Sequence, residues 1–184
     1  MSDARRDRYE IAIRLRSIAE LFNSLDPSPF RERDLDPQAD EFVTGWVREL
    51  PRRAPFAIVV ELPSEEAAKP EAGRIGEAFA NYFGHRAETA ERELKELFRV
   101  GRRSVLIGLT VLALCLLGSH FVVQLVSNAV AARILGESLI IVGWVANWRP
   151  IEIYLYDWWP IRRHIRLFRR IAAAPVDVRS VPSS

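Results

Sequence analysis

The side chains in this sequence best suited to metal or hydrolytic chemistry are three histidines, His85, His120 and His164, and Ser119. The histidines lie in three different segments, and no two of them are spaced as ligands of one ion. Ser119 and His120 are neighbours on one helix, so the imidazole points away from the hydroxyl that it would have to activate. The pattern predicts no metal centre and no intramembrane hydrolase, and it leaves His120 as a candidate polar residue for helix assembly or proton relay within a membrane.

A cluster of acidic residues precedes a predicted helix. Its members are Asp34, Asp36, Asp40 and Glu41. Such carboxylates can bind a hard cation, but acids are also preferred at a helix N-terminus, and we interpret the cluster in that way. Gly73 and Gly76 lack the Lys-Ser/Thr pair of a phosphate-binding loop. Because no nucleophile, base and orienting group occur at plausible spacing, we predict no enzyme, no cofactor and no small-molecule substrate.

Four elements are predicted before residue 103. Residues 9–15 alternate apolar and polar side chains as a strand does, and residues 55–62 form a more buried, β-branched run. Residues 37–50 and the segment after Pro70 carry apolar residues at helical spacing. The predicted fold class is therefore a small α/β domain of order strand-helix-strand-helix, followed by an α-helical transmembrane hairpin. Two strands are thin for independent stability, so we expect either a further strand or a partner chain to complete the sheet.

The charges divide the chain into unlike parts. Of the 24 acidic residues, 20 precede residue 104, and no Asp, Glu, Lys or Arg occurs in the 29 residues 104–132. Residues 105–125 cover about 30 Å as a helix, which is the thickness of the hydrocarbon layer. We therefore predict three parts: an α/β domain over residues 1–103, a two-span hairpin over residues 104–159, and a basic amphipathic tail over residues 160–184.

The second span allows two interpretations. If it covers about residues 138–158, Arg149 and Glu152 lie near the middle of the membrane, where they can pair for packing or assembly, and Pro150 kinks the helix. If it covers about residues 130–148, Arg133 and Glu137 lie at the far interface and Arg149 at the near one. The first interpretation places Tyr154, Tyr156, Trp158 and Trp159 in an aromatic belt, the second uses Trp144 and Trp148, and we favour the first. Both interpretations give the same topology.

Flanking charge predicts the orientation. Basic residues stand before the first span and after the second, whereas the connecting turn holds Arg133 alone, so we predict that both termini are cytoplasmic. The tail forms a basic helix expected to contact anionic lipid headgroups. Its candidate contact residues are Arg162, Arg163, Arg166, Arg169 and Arg170. Residues 1–8 lack the apolar core of a secretory signal peptide, and the single Cys115 gives no indication of an oxidising compartment.

Three segments carry a resemblance to a known family. They are WRPIEIYLYDWWPIRRHIRLFRR, FNSLDPSPF and LKELFRVGRRSVLIGL. Together they resemble an uncharacterised family of small bacterial inner-membrane proteins of about this length. The resemblance implies a multi-pass protein of the bacterial inner membrane and brings no activity, cofactor or catalytic residue.

The sequence thus favours a non-enzymatic inner-membrane protein that assembles or recruits partners at the cytosolic face. The expected partners are lipids with anionic headgroups and a second copy or another membrane protein. A net charge of +2 does not favour nucleic acid. The alternative is a small oligomeric channel or transporter-like protein lined by His120, Arg149 and Glu152.

Overall fold

The computed structural model describes residues 8–30 and 33–182, so the prediction about a signal peptide lies almost wholly outside the described residues. The elements follow in chain order. They are β1 (Tyr9–Arg14), a 3-10 helix (Ile18–Leu21), α1 (Pro37–Glu49), β2 (Phe56–Pro63), α2 (Ser64–Ala67), a 3-10 turn (Ala72–Arg74), α3 (Ile75–Leu125), α4 (Ala129–Val145), α5 (Trp148–Glu152), a π-helical turn (Ile153–Asp157), α6 (Trp158–Ala172) and β3 (Val176–Val181).

The chain divides into two compact units. Met1–Thr89 and Arg163–Ser184 form the first, here called the α/β domain, and Ala90–Arg162 form the second, here called the hairpin. The predicted combination of a small sheet with two helices long and apolar enough to cross a membrane is confirmed. The composition-based division at residues 103 and 160 differs from this one, because α3 and α6 each begin or end inside the α/β domain.

The sheet has three parallel strands in the order β1-β2-β3. Ile58 in the central strand lies opposite Ile11 on one side and Val176 on the other. The strand β3 was not among the predicted elements, since the sequence after residue 160 was interpreted as a tail. The sheet is therefore completed by a segment that follows the hairpin, and it needs no partner chain for its third strand.

One face of the sheet packs on helices to form the core. Ile58 and Val60 of β2 and Val43 of α1 are fully buried, as are Phe79 and Phe83 of α3. Burying an aliphatic or aromatic side chain of this size contributes about 1.5–3 kcal/mol. β2 is buried at nearly every position because it lies between two other strands and under a helical layer.

Ion pairs cover the other face of the sheet. Arg179 of β3 donates to Glu10 of β1 at 2.6 Å, reaching across the central strand. Ala57 and Val59 on that strand are only 5% and 0% exposed. The hydrogen bond with Glu10 raises the pKa of Arg179 above its ordinary value, so Arg179 keeps its charge throughout the physiological range.

The amphipathic helix α6 uses its apolar face inside the α/β domain. Ile165, Phe168 and Ile171 are buried, and the Phe168 ring lies 6.2 Å from that of Phe83. The sequence interpretation assigned this apolar face to a lipid surface. The structure instead gives it to the protein core, because the sheet requires a helical layer that the residues before 103 do not fully supply.

Candidate functional site: the helical hairpin

The hairpin consists of two antiparallel helices that approach each other closely at glycines. A Cβ atom on Gly143 would lie 2.9 Å from Leu112 Cδ1 and 3.1 Å from Cys115 Cβ, and one on Gly136 would lie 3.1 Å from Ser119 Oγ. Small residues let two helix backbones approach, which is how helices associate in lipid. The most apolar windows of the two helical stretches are only 11% and 17% buried, unlike core helices of a soluble domain.

The contacts along the hairpin keep one register. Gly108 meets Asn147, Leu112 meets Gly143, and Ser119 meets Gly136, while Gly101 lies against Ile153 near the other end. Buried positions on the second helix are Ala132, Gly136, Gly143 and Pro150, separated by four, seven and seven residues. This is the 3.5-residue period of helices packed side by side in a left-handed pair. The register allows the depth of each polar side chain to be compared between the two helices.

Asn147 joins the two helices where the second one is interrupted. Pro150 has no N–H, and its ring crowds the carbonyl of Ala146, so α4 ends just before this point. The Asn147 N–H bonds to Trp144 O, and the side-chain amide donates to the freed Gly143 carbonyl at 2.9 Å and to Gly108 O across the hairpin at 3.1 Å. A polar side chain that satisfies two backbone carbonyls is stabilising in an apolar environment.

Arg149 is the centre of an ionic cluster. It lies 3.2 Å from Glu152 and 3.1 Å from Asp157, and Trp148 donates its indole N–H to Glu152 at 2.9 Å. The sequence indicated the pairing with Glu152 but not that with Asp157. The π-helical turn lies between them, and its wider turn changes the face on which the following residues lie, which a 3.6-residue period does not predict.

The hairpin register places this cluster near one end of the uncharged stretch. Arg149 lies two residues beyond Asn147, and Arg103 lies five residues before Gly108, which is the partner of Asn147. Arg149 is therefore displaced by about one helical turn, about 5 Å, from the level of Arg103. In this register Arg149 lies near the level of the charged Arg103 and not in the middle of the uncharged stretch.

His120 lies elsewhere on the hairpin. Its Nε2 is 2.9 Å from the Gln124 side-chain nitrogen, and both residues are exposed. Twelve residues, or about 18 Å of helix, separate His120 from Gly108 and thus from the level of Asn147. Within one chain the structure does not bring His120 together with Arg149 and Glu152, so no shared site forms from these three candidates.

The five candidate headgroup arginines have different surroundings. Arg170 donates to the carbonyls of Pro51 and Ala54 at 3.1 and 2.5 Å, and its guanidinium lies 5.0 Å from the centre of the Phe56 ring. It therefore holds the loop before β2 within the α/β domain. The Arg162 guanidinium lies over the Trp158 ring at 5.6 Å. The remaining three are exposed on α6. They are Arg163, Arg166 and Arg169.

The acidic cluster has structural partners. Asp36 accepts the N–H of Gln38 at the start of α1, and Asp40 pairs with Arg86 of α3. Arg86 also lies 4.4 Å from the Phe168 ring, so it joins three helices of the α/β domain. Within residues 8–30 and 33–182, no three His, Cys, Asp or Glu side chains lie close enough to hold one metal ion.

Comparisons with protein-family models, curated proteins and solved structures find no match to this chain.

Proposed function

We propose that this chain is a two-span protein of the bacterial inner membrane that holds a non-enzymatic α/β domain at the cytosolic face, where the domain binds protein partners. The observation that carries the proposal is that the sheet combines strands from both sides of the hairpin in the sequence. β1 and β2 precede the hairpin, and β3 follows it. The domain is therefore connected to the hairpin through two helices. Such a domain stays at the membrane surface and is suited to recruitment or assembly.

The sheet also supports an even number of membrane crossings. Strands of one sheet lie on one side of the membrane, so the chain between β2 and β3 must leave and return. The antiparallel packing of α3 and α4 supplies two crossings, and the turn between these helices contains Ser127 and Asn128. The arginines that flank the hairpin favour a cytosolic position for both ends.

Cysteine labelling in intact cells tests this topology. In a Cys115→Ser background, we expect Ser127→Cys to react with a membrane-impermeant maleimide from the periplasmic side. The matched control Ser64→Cys, in the α/β domain, is expected to react only after the membrane is permeabilised. Labelling of Ser127→Cys solely from the cytosolic side contradicts the proposed hairpin.

An exposed aromatic pair on α1 supports partner binding. Phe42 and Trp46 are 43% and 51% exposed, and their ring centroids lie 6.1 Å apart. The opposite side of α1 packs into the core through Val43 and Val47. Neighbouring exposed aromatic side chains are typical of protein interfaces, where they supply much of the binding energy.

Site-specific photocrosslinking tests the recruitment. A benzophenone amino acid at Trp46 of the full chain, irradiated in native membranes, is expected to give adducts of defined mass. A control probe at the exposed Glu65 of α2 should give none of the same mass. The change Phe42→Ala should reduce the Trp46 adducts about tenfold, the effect of losing one interface aromatic. Absence of Trp46-specific adducts contradicts the recruitment role.

A further inference from the structure

The second helix of the hairpin has a short uncharged stretch. Glu137 and Arg149 bound eleven uncharged residues, 138–148, which cover about 16 Å of helix. The hydrocarbon layer of a membrane is about 30 Å thick. At least one of the two charged groups must therefore lie inside the hydrocarbon layer, unless the bilayer becomes thinner around the hairpin.

Of the two charged residues, Arg149 has the surroundings of a membrane interface. Exposed aromatic side chains surround it, and such residues are enriched at that depth. They include Trp144, Trp148, Tyr154, Tyr156 and Trp159. Counted from Glu152, Glu137 lies fifteen residues away, or about 22 Å, and Arg133 lies nineteen residues away, or about 28 Å. Glu137 is thus the charge that lies within the hydrocarbon layer near the far side.

Arg133 and Glu137 satisfy each other only in part. Arg133 Nε lies 2.9 Å from Glu137 Oε1, and the two side chains are 81% and 62% exposed. This contact joins Arg133 Nε to Glu137 Oε1, so the Nη groups of Arg133 and Oε2 of Glu137 are not part of it. Exposing such groups to lipid is costly, whereas a protein surface with matching charges would satisfy them.

A cleft of about 400 Å³ lies beside this pair. Ser119 and Val123 of α3 line it together with Ala132 and Ile140 of α4, and Arg133 and Glu137 line it as well. Small and hydroxyl-bearing residues of this kind allow another helix to approach closely in lipid. The pair and the cleft therefore form one continuous face, here called the Arg133–Glu137 face.

We propose that the Arg133–Glu137 face binds a second copy of this chain within the membrane. The proposal rests on the membrane placement of the hairpin given above. A twofold axis along the membrane normal sets the two Arg133–Glu137 faces against each other at equal depth, and since Arg133 and Glu137 lie about 6 Å apart along α4, Arg133 of each copy reaches diagonally to Glu137 of the other. The four charges then form a closed, neutral ring, and each side chain acquires a second partner. Because the face carries one base and one acid, it is complementary in charge to the same face of another copy. This complementarity is the reason for choosing a second copy as the binding partner.

Charge-reversed variants test the pairing. Arg133→Glu leaves two acids on the face, and Glu137→Arg leaves two bases, so neither variant should pair with itself. A mixture of the two restores opposite charges at both contacts. In vesicles of phosphatidylethanolamine and phosphatidylglycerol, we expect single-molecule photobleaching to show dimers for wild type and for the mixture. Each variant alone should dimerise at least about tenfold more weakly, as like charges at an interface require.

Controls separate this proposal from the proposed function. Glu88→Arg, a charge reversal at an exposed residue of the α/β domain, should dimerise as wild type does, and Ser127→Cys labelling reports whether each variant has inserted. A wild-type monomer in vesicles, self-association of either variant at the wild-type level, or a mixture that stays monomeric overturns the dimer. Trp46 crosslinking is measured on the same proteins. A monomer that still gives Trp46 adducts contradicts the dimer but leaves the proposed recruitment function standing.

Discussion

Replacing Gly143 with leucine is expected to separate the two helices of the hairpin and to lower the free energy of unfolding by about 3 kcal/mol, the cost of overfilling a close contact. Even the first carbon of a side chain would lie 3.2 Å from the Leu112 Cα atom and 3.1 Å from Cys115 Cβ. Neither atom can move without moving the α3 backbone. The helices must therefore separate, and the Asn147 amide then loses its bond to Gly108 O.

Unfolding in mixed detergent micelles, followed by the fluorescence of Trp144 and Trp148, measures this effect. The smaller change Gly143→Ala should also destabilise the hairpin, because its Cβ would lie 3.1 Å from Cys115 Cβ. Gly118→Ala is its matched control, because a Cβ at Gly118 would meet only Leu139 Cδ1, at an ordinary 3.5 Å. We expect the control to be neutral or slightly stabilising, since alanine favours a helix over glycine by about 1 kcal/mol. Equal effects of the two alanine substitutions would show that Gly143 is not a close contact.

Removing β3 is expected to unfold the α/β domain. A chain that ends at Pro175 leaves β2 as an edge strand and uncovers one side of Ile58 and Val60, both fully buried in the intact protein. The chain also loses Arg179, which covers the outer face of the sheet. Domain stabilities are about 5–15 kcal/mol, and each uncovered side chain contributes about 1.5–3 kcal/mol, so the loss should exceed what the domain can withstand.

Limited proteolysis of the full-length and shortened chains in detergent measures this loss. A chain ending at Pro182, which keeps β3, should resist protease as the full chain does. Two single substitutions in β3 give a milder test. Val178→Asp changes a half-buried position, and Ser180→Asp changes an exposed one. We expect a loss of about 2 kcal/mol or more for the first and little for the second. Resistance of the Pro175 chain equal to that of the full chain would contradict the role of β3.

The long helices and the strands β1 and β2 could be predicted from sequence because their signals are local. Residues 104–132 contain no charge, and residues 55–62 are dense in β-branched side chains, so each segment indicates its own environment. The strand β3 has no such signal. Val176 and Val178 alternate with Asp177 and Arg179 over only six residues, and this short segment forms a strand because β2 offers an open edge.

The same distinction holds for the polar residues of the hairpin. The pairs Arg149–Glu152 and Arg133–Glu137 have helical spacing, and both occur in the structure. The contact of Asn147 with Gly108 joins residues 39 positions apart, and that of Arg149 with Asp157 crosses a π-helical turn. The register of the two helices, set by which glycines meet, identifies the first contact, and the π-helical turn identifies the second.

The sequence by itself determined the long apolar helical segments, the amphipathic helices and the direction of the charge bias, because hydropathy and helical period depend on neighbouring residues. Only the tertiary structure decided where the apolar face of α6 is buried, which strand completes the sheet and which residues Asn147 and Arg149 contact. These features depend on contacts between distant segments, where the geometry of close packing selects one partner among several that are equally apolar.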